Sequence, residues 1–275
     1  MDDLKLLFVG DVVGKPGLEM VRTYLPSFVE KHKPDVIVVN AENVADGKGV
    51  THKEASVLFE LGATVLTGGN HTWDKHQSQD YIQKEPRALR PLNYPLGARG
   101  NGYYIHEHAK GNLAVISMQG RTFMPTIDCP FRKAEWALAK LKDKAKYVFI
   151  DFHAEATAEK IALAKFLDGK VSAVVGTHTH IQTSDERILP NGTGYITDAG
   201  MTGPYESVIG MKAQAAINRF IYQTPQKYET AKEDSHLTGV ALSFDATTGL
   251  CNSIERIFFP EFEKTNEREA NDATD

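Results

Sequence analysis

The stretch AVVGTHTH, residues 173–180, decides how the rest of the chain is read. Its first half has the β-branched composition of a buried strand. The strand gives out at two imidazoles, His178 and His180, with only Thr179 between them. Residues i and i+2 of an extended chain point to the same side, so both rings can face one point. A pair of surface histidines on a loop would show the same local pattern. The other strands separate these two readings.

Working outward, the same event recurs. LKLLFVG (4–10) ends in Asp11, DVIVV (35–39) in Asn40, Glu42 and Asn43, and ATVLTG (63–68) in Asn70, His71 and Asp74. YVFIDF (147–152) ends in His153 and Glu155. Ligands of open α/β sheets bind outside the carboxyl ends of strands, so these clusters can converge. Further strands are expected at 103–107 and 113–118. Two more, ending in a hairpin at Thr247–Gly249, follow GYITDAG near the carboxyl terminus. Apolar periodicity predicts helices over 18–31 (with a kink at Pro26), 51–61, 132–144 and 156–168. Thr51 and Glu54 have the spacing of a capping box. Strands interleaved with helices, and no linker, predict one α/β domain with mixed sheets over residues 1–262. The polar tail 263–275 is expected to be mobile.

Composition narrows the function. A net charge of −5 argues against bulk nucleic-acid binding, although a metal could still hold a small anion. Cys129 and Cys251 are isolated, which suits a reducing cytoplasm. The amino terminus has neither a basic leader nor a membrane span, so a cytoplasmic protein with no membrane contact is expected. GDVVGKPG (10–17) lacks the P-loop spacing, with Pro16 where a hydroxyl would be needed, and it also fails GxGxxG. Its glycines suit a tight strand-to-helix turn. No G-x-S-x-G elbow occurs for a serine hydrolase. An amidohydrolase also uses HxH, but at its first strand, whereas the pair here comes late.

The order of motifs resembles the calcineurin-like metallophosphoesterases: Asp, a strand-end acid, GNH, a lone His, then HTH. Within them GDVVGKPG, NAEN, GGNHTWD, DFHAE, GTHTH and TDAGMTGP are similar to the bacterial YmdB-like subfamily, from about residue 5 to residue 259. The resemblance implies a four-layer αββα sandwich with two mixed β-sheets, two divalent metal ions, and hydrolysis of cyclic nucleotides, 2′,3′-cyclic above all and 3′,5′-cyclic as a further class. It implies one metal held by Asp11, Glu42, Asn43 and His180. The other would take Glu42, Asn70, His153 and His178, with Glu42 bridging. The chain departs from the wider superfamily in having Asp11-Val12-Val13 for Asp-x-His and Glu42 for the bridging Asp.

The chemistry fits these residue types. Two cations roughly 3.5–4 Å apart can share a hydroxide that attacks phosphorus, and can clamp both sides of the displacement. Imidazole, carboxylate and amide donors without thiolate favour Fe or Mn, with Zn compatible. His71 is the candidate general acid that protonates the departing ribose oxygen. Asp74 either orients His71 or caps a helix. Asn40 and Glu155 are expected to organise loops, and His52, His76, His106, His108 and His236 to be surface groups. Trp73 is a packing anchor or, less in keeping with its setting, a base-stacking platform. Residues 200–204 line either the pocket or a contact in a homo-oligomer. A phosphomonoesterase or nucleotidase on the same scaffold, and a regulatory metal-binding protein, are the competing functions.

Overall fold

The computed structural model describes residues 2–262, so the tail 263–275 lies outside the described residues. In chain order the elements are β1 (Leu4–Val9), β2 (Asp11–Val12), α1 (Gly14–His32), β3 (Val36–Asn40), α2 (His52–Glu60), β4 (Val65–Thr67) and α3 (His76–Lys84). Next come β5 (Tyr103–His106), β6 (Leu113–Gln119), α4 (Pro130–Leu141), β7 (Tyr147–His153), α5 (Thr157–Leu167) and β8 (Ala173–Thr177). The chain continues through β9 (Arg187–Ile188), β10 (Gly194–Ile196), β11 (Met201–Pro204), α6 (Ala213–Tyr222), β12 (Ser235–Phe244) and β13 (Cys251–Phe259).

The strands form two sheets. One is seven-stranded, in the order β2-β11-β12-β1-β3-β4 with β13 also on β12; the other is six-stranded, β5-β6-β7-β8-β10-β9. Both are mixed. In the first, β1, β3 and β4 run parallel while β12 is antiparallel to β1. In the second, β6, β7, β8 and β10 run parallel and β5 and β9 are antiparallel at the edges.

Strand alternation builds the layers. Leu6 and Phe8 of β1 turn inward with Val38, Val115, Phe149 and Val175 to fill the space between the sheets. Leu7 and Val9 turn outward against Val21 and Leu25 of α1 and Leu58 of α2. On the second sheet Ile116, Ile150 and Phe152 pack outward against α4 and α5 through Ala134, Leu141, Leu163 and Leu167. Helix, sheet, sheet, helix: this is the four-layer αββα sandwich.

Several local expectations need correction. α1 begins at Gly14 rather than near Leu18, and it passes through Pro26 without ending. Gly14 has φ 58°, a left-handed conformation that glycine takes without strain, and its N–H donates to Asn43 O at 2.9 Å. Thr51 and Glu54 bond to each other through their side chains, and neither side-chain-to-backbone bond of the capping box is made among the described residues. α3 and α6 go beyond the helices that the sequence reading predicts; both are short, and α3 carries only two apolar side chains, Tyr81 and Ile82. Residues 200–204 run into β11 and are buried between β2 and β12. Trp73 packs edge-on against Tyr94, ring centroids 5.6 Å apart, as an anchor would. His236 is not a surface group: it is 1% exposed, with Nδ1 2.6 Å from Pro260 O and Nε2 3.0 Å from Asp234 Oδ1.

Phe8 is fully buried, and its ring centroid lies 5.3 Å from that of Phe149 on the facing sheet. Phe8→Ala should therefore open a cavity between the sheets and lower the unfolding free energy by about 3–5 kcal/mol. Urea denaturation checks this; a loss below about 1 kcal/mol would mean that the two sheets do not share this core.

Candidate metal centre

The carboxyl ends of β1, β3, β4, β7 and β8 come together where the two sheets face each other, and all eight residues singled out in the sequence come to that place. Glu42, 1% exposed, stands at the middle. Its Oε1 lies 3.1 Å from His153 Nε2 and accepts a bond from Asn43 Nδ2 at 2.8 Å. Its Oε2 accepts the His71 backbone N–H at 3.1 Å.

Two groups of side chains flank Glu42. On one side His153 Nε2 is 3.0 Å from Asn70 Oδ1 and 3.0 Å from His178 Nδ1. Donor atoms of Glu42, His153 and His178 all lie within 4.8 Å of one another. On the other side His180 Nε2 is 3.3 Å from Asn43 Nδ2 and 3.6 Å from Asp11 Oδ2. Turning the Asn43 amide over would present its oxygen to the same point. His178 and His180 thus face different groups, although they are only two residues apart.

The imidazoles are oriented from behind. His153 Nδ1 lies 2.9 Å from Thr177 Oγ1, whose own proton goes to Asp151 Oδ1 at 2.7 Å. The Thr177 oxygen is then free to accept from His153 Nδ1–H, which leaves Nε2 as the atom turned to the centre. His180 Nδ1–H donates to Ile209 O at 2.9 Å, with the same consequence. Asp151, fully buried, also accepts from Thr67 Oγ1 and from Asn40 Nδ2, the latter at 2.9 Å. Asn40 Oδ1 accepts the Glu42 N–H at 3.1 Å, so Asn40 organises the loop as expected. Glu155 reaches His178 Nε2 at 3.1 Å and is half-exposed.

Sequence reasoning missed Asp151, Thr177 and Gly69. A carboxylate inside the apolar run YVFIDF was the available signal for Asp151. Gly69 carries its own evidence: a Cβ there would stand 2.2 Å from Glu42 Oε2 and 2.5 Å from His153 Nε2. Only a residue without a side chain lets the β4 loop close over the centre.

The electrostatics suit a cation. Burial, partly opposed by the nearby His153 charge, raises the Asp11 carboxyl well above the usual carboxylate range. Asp11 Oδ1 is buried without a hydrogen-bond partner among the described residues. For Glu42 burial acts upward, but the His153 charge and hydrogen bond outweigh it and hold the carboxyl below its ordinary value. For His153 burial acts downward, but the Glu42 carboxylate dominates and lifts the ring to about 9. Burial and the His153 charge depress His178 to about 3, and burial lowers His180. Asp11 with its partnerless Oδ1, the Glu42 carboxylate, and the His178 and His180 rings held neutral are oxygen and nitrogen donors that a divalent cation satisfies.

His71 differs from the rest. Its side chain is 38% exposed, and Nδ1 lies 2.9 Å from Asp74 Oδ2. Asp74 therefore orients His71 and does not cap α3, whose N-cap is Lys75.

Mn²⁺ should raise the melting temperature of the wild-type protein, by mass action on the native state. A hundredfold excess over Kd would add about 2.7 kcal/mol. Gly69→Ala should abolish that rise while leaving the far-ultraviolet circular dichroism unchanged. A full shift in Gly69→Ala would put the cation somewhere else.

Known proteins have similar sequences and folds. The chain is 49% identical over 255 residues to the 2′,3′-cyclic-nucleotide 2′-phosphodiesterase of Bacillus subtilis (strain 168), covering 92% of this chain and 96% of that protein. The crystal structure of a novel phosphatase from Mycoplasma pneumoniae superposes with a TM-score of 0.89 at 34% identity, covering 94% of each chain. A hypothetical protein from Thermus thermophilus superposes with a TM-score of 0.88 at 39% identity, over 93% of this chain and 99% of that one. The model of the family described as YmdB-like protein matches residues 7–257, and the chain belongs to that family.

Proposed function

We propose that the protein is a dimetal phosphodiesterase that opens cyclic nucleotides to monoesters, 2′,3′-cyclic ones first and 3′,5′-cyclic ones as a second class. One observation carries the reading: a single buried carboxylate, Glu42, stands between two groups of oxygen and imidazole donors, in a chain whose Bacillus relative is a 2′,3′-cyclic-nucleotide 2′-phosphodiesterase. Asp11, Glu42, Asn43 and His180 would hold one divalent ion, and Glu42, Asn70, His153 and His178 the other. The absence of thiolate from both sets favours Fe or Mn, with Zn compatible. Two such ions supply a nucleophilic water at neutral pH and neutralise charge on the phosphoryl oxygens.

The chain's own residues do the rest. Asp74 accepts the His71 Nδ1–H, which leaves Nε2 as the ring nitrogen free to meet a substrate and the one that would donate a proton from the imidazolium. As the P–O bond to the ribose breaks, that proton passes to the departing oxygen. The Glu42 bond to the His71 N–H ties the acid's backbone to the centre, so the donor is positioned with the ligands. Its exposure gives it access to a substrate that the buried ligands cannot reach directly. No described helix is long and apolar enough to cross a membrane. The free thiols of Cys129 and Cys251 support a cytoplasmic setting.

A phosphomonoesterase on the same scaffold is the second reading, favoured by the Mycoplasma relative's name. Turnover of 2′,3′-cyclic AMP should exceed that of AMP at matched enzyme; faster hydrolysis of AMP would install the second reading. The purified protein should carry close to two metal ions per chain. His178→Ala and His180→Ala should each weaken a different site, and Glu42→Ala both. A fully active metal-free preparation would end the proposal.

His71→Ala should keep both metals and the fold but lose roughly 10²–10⁴-fold in turnover of cyclic nucleotides. An aryl phosphodiester, whose leaving group needs less protonation, should be affected less. Equal losses on both substrates would make His71 a phosphate-binding group, and loss of metal would make it a ligand. Unchanged turnover would instead favour a regulatory metal-binding protein.

A further inference from the structure

Lys160 lies on the buried stripe of α5 with Leu163, Ala164 and Leu167, a charge where helical periodicity calls for an apolar side chain. Its Nζ donates to Asp198 Oδ2 at 2.7 Å, and both side chains are fully buried. The same Oδ2 accepts the Thr179 N–H at 3.1 Å and the Thr179 hydroxyl at 2.8 Å. Oδ1 accepts the Gly200 N–H at 2.9 Å. Thr179 is the residue between the two histidines.

That turn needs holding. His178 and His180 have φ of 99° and 65°, in the left-handed region that L side chains seldom adopt. Such conformations persist only where the surroundings over-determine them. The His178 N–H donates to Asp11 Oδ2 at 2.9 Å, and the His180 ring is tied to Ile209 O. The hold on Thr179 is the one of the three that comes from an ion pair outside the donor groups.

We infer that the buried Lys160–Asp198 pair is a positioning element for the 178–180 turn, setting the direction of both imidazoles and so tuning both metal sites together. The carboxylate supplies the acceptor that Thr179 requires, and Lys160 makes that buried negative charge tolerable. Because His178 and His180 face different groups, disturbing the pair acts on both sites in parallel, unlike removal of either histidine. The consequence for metal affinity rests on the dimetal reading; the geometry of the turn does not.

The test combines two measurements on the full chain: Mn²⁺ titration at both sites, and amide hydrogen exchange at Thr179 in metal-free protein. Lys160→Met should speed Thr179 exchange and weaken Mn²⁺ binding about 10–100-fold at both sites, the usual effect of losing a group that orients ligands. Combining Lys160→Met with Asp198→Asn keeps a neutral acceptor for Thr179 without a buried charge, and should recover most of the affinity. A folded Lys160→Met protein with wild-type exchange and affinity overturns the inference. So does loss at one site alone, or a double variant no better than the single one. If Lys160→Met does not fold, Thr179→Val removes only the hydroxyl bond and should give a smaller, parallel loss. Wild-type exchange and affinity in Thr179→Val would equally overturn it. A wild-type protein that binds no Mn²⁺ refutes the dimetal reading instead, and the turn is then judged on Thr179 exchange alone.

Discussion

Glu42 joins the two sheets at their carboxyl ends. It follows β3 of the first sheet, and its carboxylate meets the imidazole of His153 on β7 of the second, 3.1 Å away with both side chains out of water. A buried ion pair of this kind is costly to desolvate, and it persists only with good geometry and its remaining bonds satisfied. Asn43 and the His71 N–H satisfy the other carboxylate positions, and Thr177 satisfies the far side of the ring. The site's layout follows from this constraint. Whatever holds Glu42 and His153 at bonding distance also fixes the β4 loop, which carries His71, and the turn after β8.

The polar groups that do this are buried and run behind the donors. Asp151 gathers Asn40, Thr67 and Thr177, and so links β3, β4, β7 and β8 beneath the centre. Asp198 gathers Lys160, Thr179 and Gly200 beneath the turn. In a low-dielectric interior such networks are stabilising only when fully satisfied, and then they specify one arrangement. Asp11 Oδ1 is the exception at the centre itself, an acceptor with no donor among the described residues. An acceptor left open in a centre that also holds the neutral imidazoles of His178 and His180 is an attractive place for positive charge.

The apolar layers carry out a separate task. Phe8 and Phe149 interlock between the sheets, and α1, α2, α4 and α5 cover the outer faces. These side chains contribute no donor atom to the centre. They set the spacing of the sheets, so the reach of Glu42 to His153 depends on packing that has no chemistry of its own.

The sequence by itself determined the strands of an α/β domain and the candidate donors, and the family resemblance implied the layers. Leu6, Leu7, Phe8 and Val9 alternate apolar residues to both faces, which can only mean a strand covered on both sides. Asp11, Glu42, Asn43, Asn70, His71, His153, His178 and His180 were legible because each follows closely where such a strand ends. The supports were not legible, for a physical reason. Asp151 and Lys160 are polar residues inside apolar patterns, and a pattern shows that they are out of place without showing their partners, 111 residues away for Asn40 and Asp151 and 38 for Lys160 and Asp198. The Thr51–Glu54 pair and His236 escape a sequence reading for the same cause, since side-chain bonding depends on what folds against a residue. The short helices α3 and α6 escape it because nine or ten residues give too brief a run to stand out. Only the tertiary structure decided that Gly69 leaves room for Glu42 and that Asp74 serves His71; the resemblance already implied that the two histidines serve different groups, and the structure supplies the reason. Strand alternation alone would have aimed both rings at one point; the left-handed φ values of His178 and His180, held by contacts from distant segments, separate them.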